Sequence, residues 1–277
     1  MFNKYSFEQF IAKCCRAKET DLRKFIKKVL AREGFKLIED DFRSKKNGVP
    51  NLLAVRGRPN VALLAHTDVC REHNNITNQP TPEFKTRLVD GEERLILTDK
   101  YYGMQIGGDD RLGVAINLWI ALNTGYEDLA LLFLTDEELG TISSDHLNLK
   151  YVNDFKLLVQ VDRGNHSNQL VTGIYGLRIC SPSMTKQLLD ITKDIGSPRY
   201  AVDGMLTDVY TIKYNGYKGD AINMTCGYHN SYGSSGSEYI DVKEARDTMK
   251  FVAEIVKRDY LGELKYQNNN TSDGLFV

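Results

Sequence analysis

The chain has 277 residues, of which 36 are basic, 37 are acidic and 42% are hydrophobic. Such a composition is that of a globular protein with a sizeable core, arranged as one large domain or as one domain with a small insertion. The formal net charge of -1 gives no electrostatic reason to expect nucleic acid or an anionic membrane as a partner.

The N-terminal residues are not followed by the apolar run of a signal peptide, and no segment is long and apolar enough to cross a membrane. The chain has five cysteines and no CxxC pair, so the sequence indicates neither a disulfide framework nor a thiolate zinc site. These features predict a cytoplasmic protein with free thiols. They leave its oligomeric state open.

Residues 6 to about 33 carry apolar side chains at helical spacing and stop near Gly34, which predicts two short helices or one kinked helix. A mixed region from about 36 to 55 follows and has room for strands. Apolar runs of strand length then occur at 61–65, 129–134 and 155–161. The 112–122 segment predicts a helix between the first two runs, and 241 to about 257 predicts a closing helix.

The three apolar runs are mostly continuous, which is typical of strands covered by helices on both faces. The helix predicted between the first two runs makes a strand, helix, strand crossover, which joins parallel strands. The sequence therefore predicts an α/β fold with a mostly parallel central sheet and helices on both faces.

Acidic and imidazole side chains follow each predicted strand. His66 and Asp68 follow the first run, Glu137 and Glu138 the second, and Asp162 the third. Ligands bind outside the carboxyl ends of strands in open α/β sheets, so these groups can converge on one rim. Residues i and i+2 of an extended segment point the same way, so Asp68 can orient one ring nitrogen of His66 while the other binds metal. An isolated H-x-D is more often a solvated loop pair. The interpretation of His66 and Asp68 as part of a metal site therefore depends on the acids near them.

Asp109 follows Gly107 and Gly108 and precedes the predicted crossover helix. An aspartate there is commonly a helix N-cap. The alternative is that the two glycines permit a close approach that aims the Asp109 carboxylate between two cations. Glu137 and Glu138 also have a plain alternative as solvated loop acids. If these carboxylates do gather, their repulsion is the kind that bound cations relieve.

Five segments together resemble the co-catalytic zinc exopeptidase superfamily, which includes peptidase T, the glutamyl and leucyl aminopeptidases and related amidohydrolytic deacylases. They occur in the family's order and cover most of the chain, and each is a weak signal alone. The segments are H-T-D at 66–68, G-G-D-D-R-L-G-V-A at 107–115, T-D-E-E-L-G at 135–140, V-D-R-G at 161–164, and G-Y-H-N at 227–230 followed by S-E-Y-I-D at 237–241.

The resemblance implies two divalent metal ions, with Zn²⁺ expected, bridged by Asp109. One ion would be completed by His66 and Asp162, and the other by Glu138 and His229. The resemblance further implies that Glu137 is the general base acting on a metal-bridging hydroxide and that Asp68 supports catalysis by orienting His66. In this superfamily the bond after the bridging aspartate is commonly cis, which predicts a cis peptide between Asp109 and Asp110.

The chain also departs from parts of the family. The 163–228 segment is too short for a large lid or dimerisation domain, so we expect a single catalytic domain at 1–265 and a polar tail at 266–277. An oxyanion donor would then have to be local, such as Tyr228 or Tyr210.

Compact relatives are mostly aminopeptidases, which favours an aminopeptidase with a small peptide as substrate. An N-acyl amino acid deacylase and a metal-free binding relative are the alternatives. The loop from Arg71 to Gln105, the expected specificity wall, carries no readable code.

Overall fold

The computed structural model describes residues 5–73, 80–89, 91–100, 105–231 and 237–267. The predicted polar tail at 266–277 lies almost entirely outside these residues. Within them, no helix is both long and apolar enough to cross a membrane.

Eight helices and thirteen strands are defined in the described residues. The helices are α1 (Phe7–Arg16), α2 (Glu19–Arg32), α3 (Cys70–His73), α4 (Gly108–Asn123), α5 (Ile142–Asp145), α6 (Pro182–Asp194), α7 (Asp208–Tyr214) and α8 (Val242–Tyr260), with a 3₁₀ turn at Leu149–Tyr151. The strands are β1 (Lys36–Glu39), β2 (Leu52–Arg56), β3 (Val61–His66), β4 (Pro82–Val89), β5 (Glu92–Asp99), β6 (Leu129–Leu134), β7 (Leu157–Arg163), β8 (Gln169–Ile174), β9 (Leu177–Arg178), β10 (Tyr200–Gly204), β11 (Asp220–Thr225), β12 (Tyr228–His229) and β13 (Tyr239–Asp241).

The large sheet has the order β1-β2-β6-β3-β7-β11-β8-β10, with β9 paired to β8. Its centre is parallel, since β3 pairs in parallel with both β6 and β7, and β7 pairs in parallel with β11. Antiparallel pairs lie toward the edges, where β2 meets β1 and β6 and where β8 meets β11 and β9. The predicted α/β class with a mostly parallel centre is confirmed.

The central strands are covered on both faces. Leu63 and Ala65 of β3 belong to one hydrophobic cluster, which includes side chains of α1, α2, α4, α6 and α8. Leu64, between them in the chain, belongs to a second cluster on the other face, with α7. Successive strand residues point to opposite faces, so this division explains why the apolar runs are continuous.

Helix α1 begins at a capping box, in which the Ser6 hydroxyl accepts from the Gln9 amide and the Gln9 side chain accepts from the Ser6 amide. Its apolar side places Phe7 and Phe10 against Trp119 of α4, with ring centroids 5.5 and 5.9 Å apart. The N-terminal region therefore forms two separate helices, α1 and α2, which confirms the first of the two predicted alternatives and not the single kinked helix.

A smaller four-stranded sheet has the order β12-β13-β5-β4. It joins the β4–β5 hairpin to two short strands near the end of the chain. This hairpin lies within the 71–105 segment, so the expectation that the segment is a loop is wrong. The 163–228 segment contributes β8, β9, α6, β10, α7 and β11 to the large sheet and its covering layers, and not to a separate lid.

Candidate metal centre

The candidate site lies at the carboxyl ends of β3, β6 and β7. His66 is the last residue of β3 and pairs with Leu134, the last residue of β6. Asp162 lies within β7, one residue before its end. Because these strands are parallel neighbours, their carboxyl ends form one rim, and the groups predicted to follow them meet there.

The imidazole of His66 is fully buried among carboxylates. Its Nε2 lies 3.1 Å from Asp109 Oδ1, 3.6 Å from Asp162 Oδ1 and 3.7 Å from Glu137 Oε2. Three side chains each offer one ligand atom, and these atoms lie within 4.8 Å of one another, a spacing that a metal ion can bridge. The three residues are His66, Asp109 and Asp162. These three residues form the only such group in the described part of the chain.

Asp68 contacts the other ring nitrogen of His66. The His66 Nδ1 lies 3.3 Å from Asp68 Oδ1 and 3.2 Å from the Asp68 carbonyl oxygen. The two oxygens of the Asp68 carboxylate also accept the backbone N–H groups of Glu137 and Glu138, at 3.2 and 3.1 Å. One buried carboxylate thus orients the imidazole and fixes the turn that carries the two glutamates.

Asp109 stands at a break in the backbone, before regular helix begins in α4. Neither Asp109 nor Asp110 has helical dihedral angles. The peptide bond between them is cis, so the prediction for this bond is confirmed. The Asp110 carboxylate accepts from the His66 amide at 3.3 Å and from the Gly113 amide at 3.0 Å, which ties this break to the end of β3.

Glu138 points to a different partner from Glu137. Its carboxylate accepts from the Cys70 amide and from the Cys70 thiol, both at 3.2 Å. Cys70 is half-buried and is not in a disulfide, and the other four cysteines are buried and also free. In the sequence Cys70 stands two residues beyond Asp68, which does not reveal its contact with Glu138.

Asp162 is held by three side-chain donors. It accepts from Gln160 Nε2 at 2.9 Å, from Thr207 Oγ1 at 3.1 Å and from the Tyr228 hydroxyl at 3.4 Å. Tyr228 is therefore in contact with the centre. Tyr210, the other predicted oxyanion donor, packs its ring against Tyr175 and Tyr214.

His229 lies outside the group formed by His66, Asp109 and Asp162. Its Nε2 lies 3.1 Å from Glu244 Oε2, and its ring stacks on Tyr239 with centroids 4.9 Å apart. The second predicted ligand set, made of Asp109, Glu138 and His229, is thus not gathered in this conformation. Its role in metal binding stays a prediction.

The crowding of buried acids shifts their proton affinities in one direction. Burial and then repulsion from Asp109 raise the pKa of Asp162 to about 6 and that of Glu138 to about 8. Burial likewise raises the pKa of Glu137 well above its usual range, assisted by repulsion from Asp162 and Asp208. Burial would lower the pKa of His66, but the Asp162 charge and the hydrogen bonds that the imidazole donates to neighbouring carboxylates raise it well above its ordinary value.

Two buried residues of α2 support the rim, and the sequence analysis did not identify them. Arg23 donates to the carbonyl oxygens of Phe133 and Leu134 and to the Thr67 hydroxyl. Glu19 accepts from the Thr67 and Thr135 hydroxyls, both at 2.7 Å. This pair ties the ends of β3 and β6 together. An acid and a base four residues apart on a helix look the same in sequence as a solvated pair.

Comparison with known proteins gives a clear result for the fold. No protein-family model matches the chain, and a search of curated proteins finds no significant match. Among solved structures, the aminopeptidase PepT from Bacillus cereus is similar with a TM-score of 0.73 and 12% identity, over 92% of this chain and 99% of that one.

A tripeptidase from Staphylococcus aureus is similar with a TM-score of 0.72 and 12% identity, over 92% and 98% of the two chains. A TET aminopeptidase from a marine sediment Thaumarchaeota archaeon has a TM-score of 0.68 and 11% identity, over 93% and 99%. At these identities the likeness shows the fold, which is the fold that the sequence resemblance implied.

Proposed function

We propose that this protein is a metal-dependent peptide hydrolase, and specifically an aminopeptidase acting on short peptides. The observation that carries the proposal is the group formed by the buried His66 and Asp162, at the carboxyl ends of parallel strands, and the half-buried Asp109, with Glu137 beside it. The shared fold with solved aminopeptidases and a tripeptidase supports peptides as the substrate class.

The residues fit divalent cations in both number and chemistry. His66, Asp109 and Asp162 would hold one cation, and Asp109, Glu138 and His229 a second, with Zn²⁺ expected from the resemblance to the zinc exopeptidases. The ligand atoms of the second set do not lie within 4.8 Å of one another, so side chains must move before this set can hold a cation. Cations in such a site supply Lewis-acid chemistry, since they acidify water and polarise a carbonyl group.

The remaining chemistry belongs to the side chains. Glu137 would take a proton from the attacking water and pass it to the leaving amine, a role suited to a buried carboxylate with a raised pKa. Asp68 would keep the His66 ring oriented. Tyr228 is a better candidate than Tyr210 for a local oxyanion donor, because its hydroxyl contacts Asp162.

The test is digestion of a peptide library by metal-stripped protein with Zn²⁺, Co²⁺ or Mn²⁺ added back. We expect release of the first residue from peptides with a free N-terminus. Preferred cleavage of N-acylated dipeptides would identify a deacylase instead, since the same groups can attack either amide. Absence of both activities, together with absence of bound metal, would indicate a metal-free relative.

Asp109→Ala tests the metal centre independently of turnover. Because Asp109 belongs to both ligand sets, its loss should lower metal content at both positions. Full metal occupancy in this variant, measured by elemental analysis, would contradict the bridging role.

A further inference from the structure

Glu238 is a buried carboxylate directly beneath the segment that carries Asp109, and only 2% of its surface is exposed. Its Oε2 accepts the Gly107 amide at 2.8 Å, and its Oε1 accepts the Gly108 amide at 2.7 Å. The Asp109 amide lies 3.4 Å from the same Oε1. A single side chain thus binds three consecutive N–H groups.

The two glycines are what allow this contact. A Cβ at Gly108 would lie 2.8 Å from Glu238 Oε1 and 2.6 Å from the Tyr228 Cβ. Gly107 has a φ of 81°, in the left-handed region that favours glycine. One of the two interpretations of the glycine pair was a close approach that aims Asp109 at metal, and in the structure the Glu238 carboxylate lies against the amides of both glycines.

Glu238 is itself held by the smaller sheet. Its carbonyl oxygen accepts from the Thr98 hydroxyl of β5 at 2.9 Å, and the next residues form β13, which pairs with β5. The 107–109 backbone is therefore fastened to a strand on one side and, through Asp110, to the end of β3 on the other. Asp109 lies between these two attachments, with its carboxylate 3.1 Å from His66.

We propose that Glu238 is a positioning residue of the metal centre, which holds the 107–109 backbone so that the Asp109 carboxylate faces the cations. The inference rests on the proposed function for its metal-binding part. Both oxygens of Glu238 accept different N–H groups, so an amide cannot replace the carboxylate without placing a donor against a donor.

Glu238→Gln is the test variant, and Asp259→Asn is its matched control. Asp259 is also a buried carboxylate with three donors, which are the Asn60 amide, the Asn60 side chain and the Tyr266 hydroxyl. Asn60 precedes β3, so this network lies at the end of the strand opposite His66. The control therefore measures the cost of disrupting a buried carboxylate away from the centre.

The first readout is amide hydrogen exchange in the metal-free protein. Exchange in peptides covering 107–109 should be about tenfold faster in Glu238→Gln and unchanged in Asp259→Asn, because only the first variant removes an acceptor from these amides. The second readout is Zn²⁺ affinity by chelator competition. It should fall about 10- to 100-fold in Glu238→Gln, as expected for a supporting residue of a metal site, and stay within about twofold in the control.

If Glu238→Gln does not fold, Glu238→Asp takes its place as the test variant. It keeps the charge but shortens the side chain, so we expect changes in the same direction in both readouts that are smaller than those expected for Glu238→Gln. Unchanged exchange and affinity in these Glu238 variants, or equal changes in the control, would overturn the inference. If the wild-type protein has no affinity for Zn²⁺, Co²⁺ or Mn²⁺, the proposed function is refuted, and so is the part of this inference that concerns metal binding. Amide hydrogen exchange would still decide whether Glu238 holds the 107–109 backbone.

Discussion

Replacing Glu137 with glutamine separates the proton acceptor from the metal ligands. The Glu137 side chain approaches His66 at 3.7 Å but is not part of the group whose ligand atoms lie within 4.8 Å of one another. The backbone contact of Glu137 with Asp68 does not involve its side chain. The isosteric amide should therefore keep the fold and the metal content while it removes the group that accepts the proton.

The expected loss follows from the value of general-base catalysis, which is about 10²- to 10⁴-fold. At about 1.36 kcal/mol for each tenfold change in rate, this is about 2.7 to 5.4 kcal/mol. Burial and repulsion from Asp162 and Asp208 raise the pKa of Glu137, and a general base is most effective when its pKa lies near the operating pH.

The assay measures kcat on an unblocked short peptide and metal content on the same samples. Glu138→Gln is the comparison, because it replaces a charged candidate ligand with a neutral one and should lower metal content at one position. A wild-type rate in Glu137→Gln would refute the assignment of the base. Loss of metal in Glu137→Gln but not in Glu138→Gln would mean that the two roles are reversed.

Four further outcomes are expected. Zn²⁺ affinity should rise with pH between about 5.5 and 8.5, because protons compete for Asp162 and Glu138, whose pKa values are about 6 and 8, and an affinity independent of pH in chelator competition would contradict this. The same raised values mean that the folded metal-free protein keeps protons that the unfolded chain loses, so its stability in denaturant should fall as pH rises from about 4 through 8. Gly108→Ala should lower the free energy of unfolding by about 1–3 kcal/mol, since the new Cβ would lie 2.6 Å from the Tyr228 Cβ. An unchanged midpoint of thermal unfolding would argue against the close packing. Asp68→Asn should lower metal affinity about 10- to 100-fold by releasing the His66 ring, which isothermal titration of the variant against wild type can check.

The sequence predicted the large sheet because its central strands are buried on both faces and read as continuous apolar runs. The smaller sheet was not predicted, because most of its strands are either exposed or too short to show a pattern. Strand β4 is exposed or half-exposed along its whole length, so it has no apolar face that a pattern could reveal. Strands β12 and β13 of the same sheet have two and three residues, too few for any periodicity.

The site divides in the same way. The positions of His66 and Asp162 follow from where strands end, and that of Asp109 from the glycine pair before the crossover helix, which local patterns can locate. Other contacts depend on segments that are distant in sequence or on the direction of a side chain. They are the contacts of Glu138 with Cys70, of His229 with Glu244 and of Glu238 with the glycine amides. Single-sequence spacing carries no information on either, so these contacts required the structure.

The supporting contacts make the two proposed cation positions unequal. In the first set, Asp68 holds His66, the Gln160 and Thr207 side chains hold Asp162, and all three ligands already face one point. In the second set, the ligand atoms of Asp109, Glu138 and His229 do not lie within 4.8 Å of one another, so side chains must move before a cation binds. A ligand set assembled in advance avoids this cost, and under the proposed function the first position should fill at lower metal concentration. A titration in which both cations bind with one shared affinity would contradict this order.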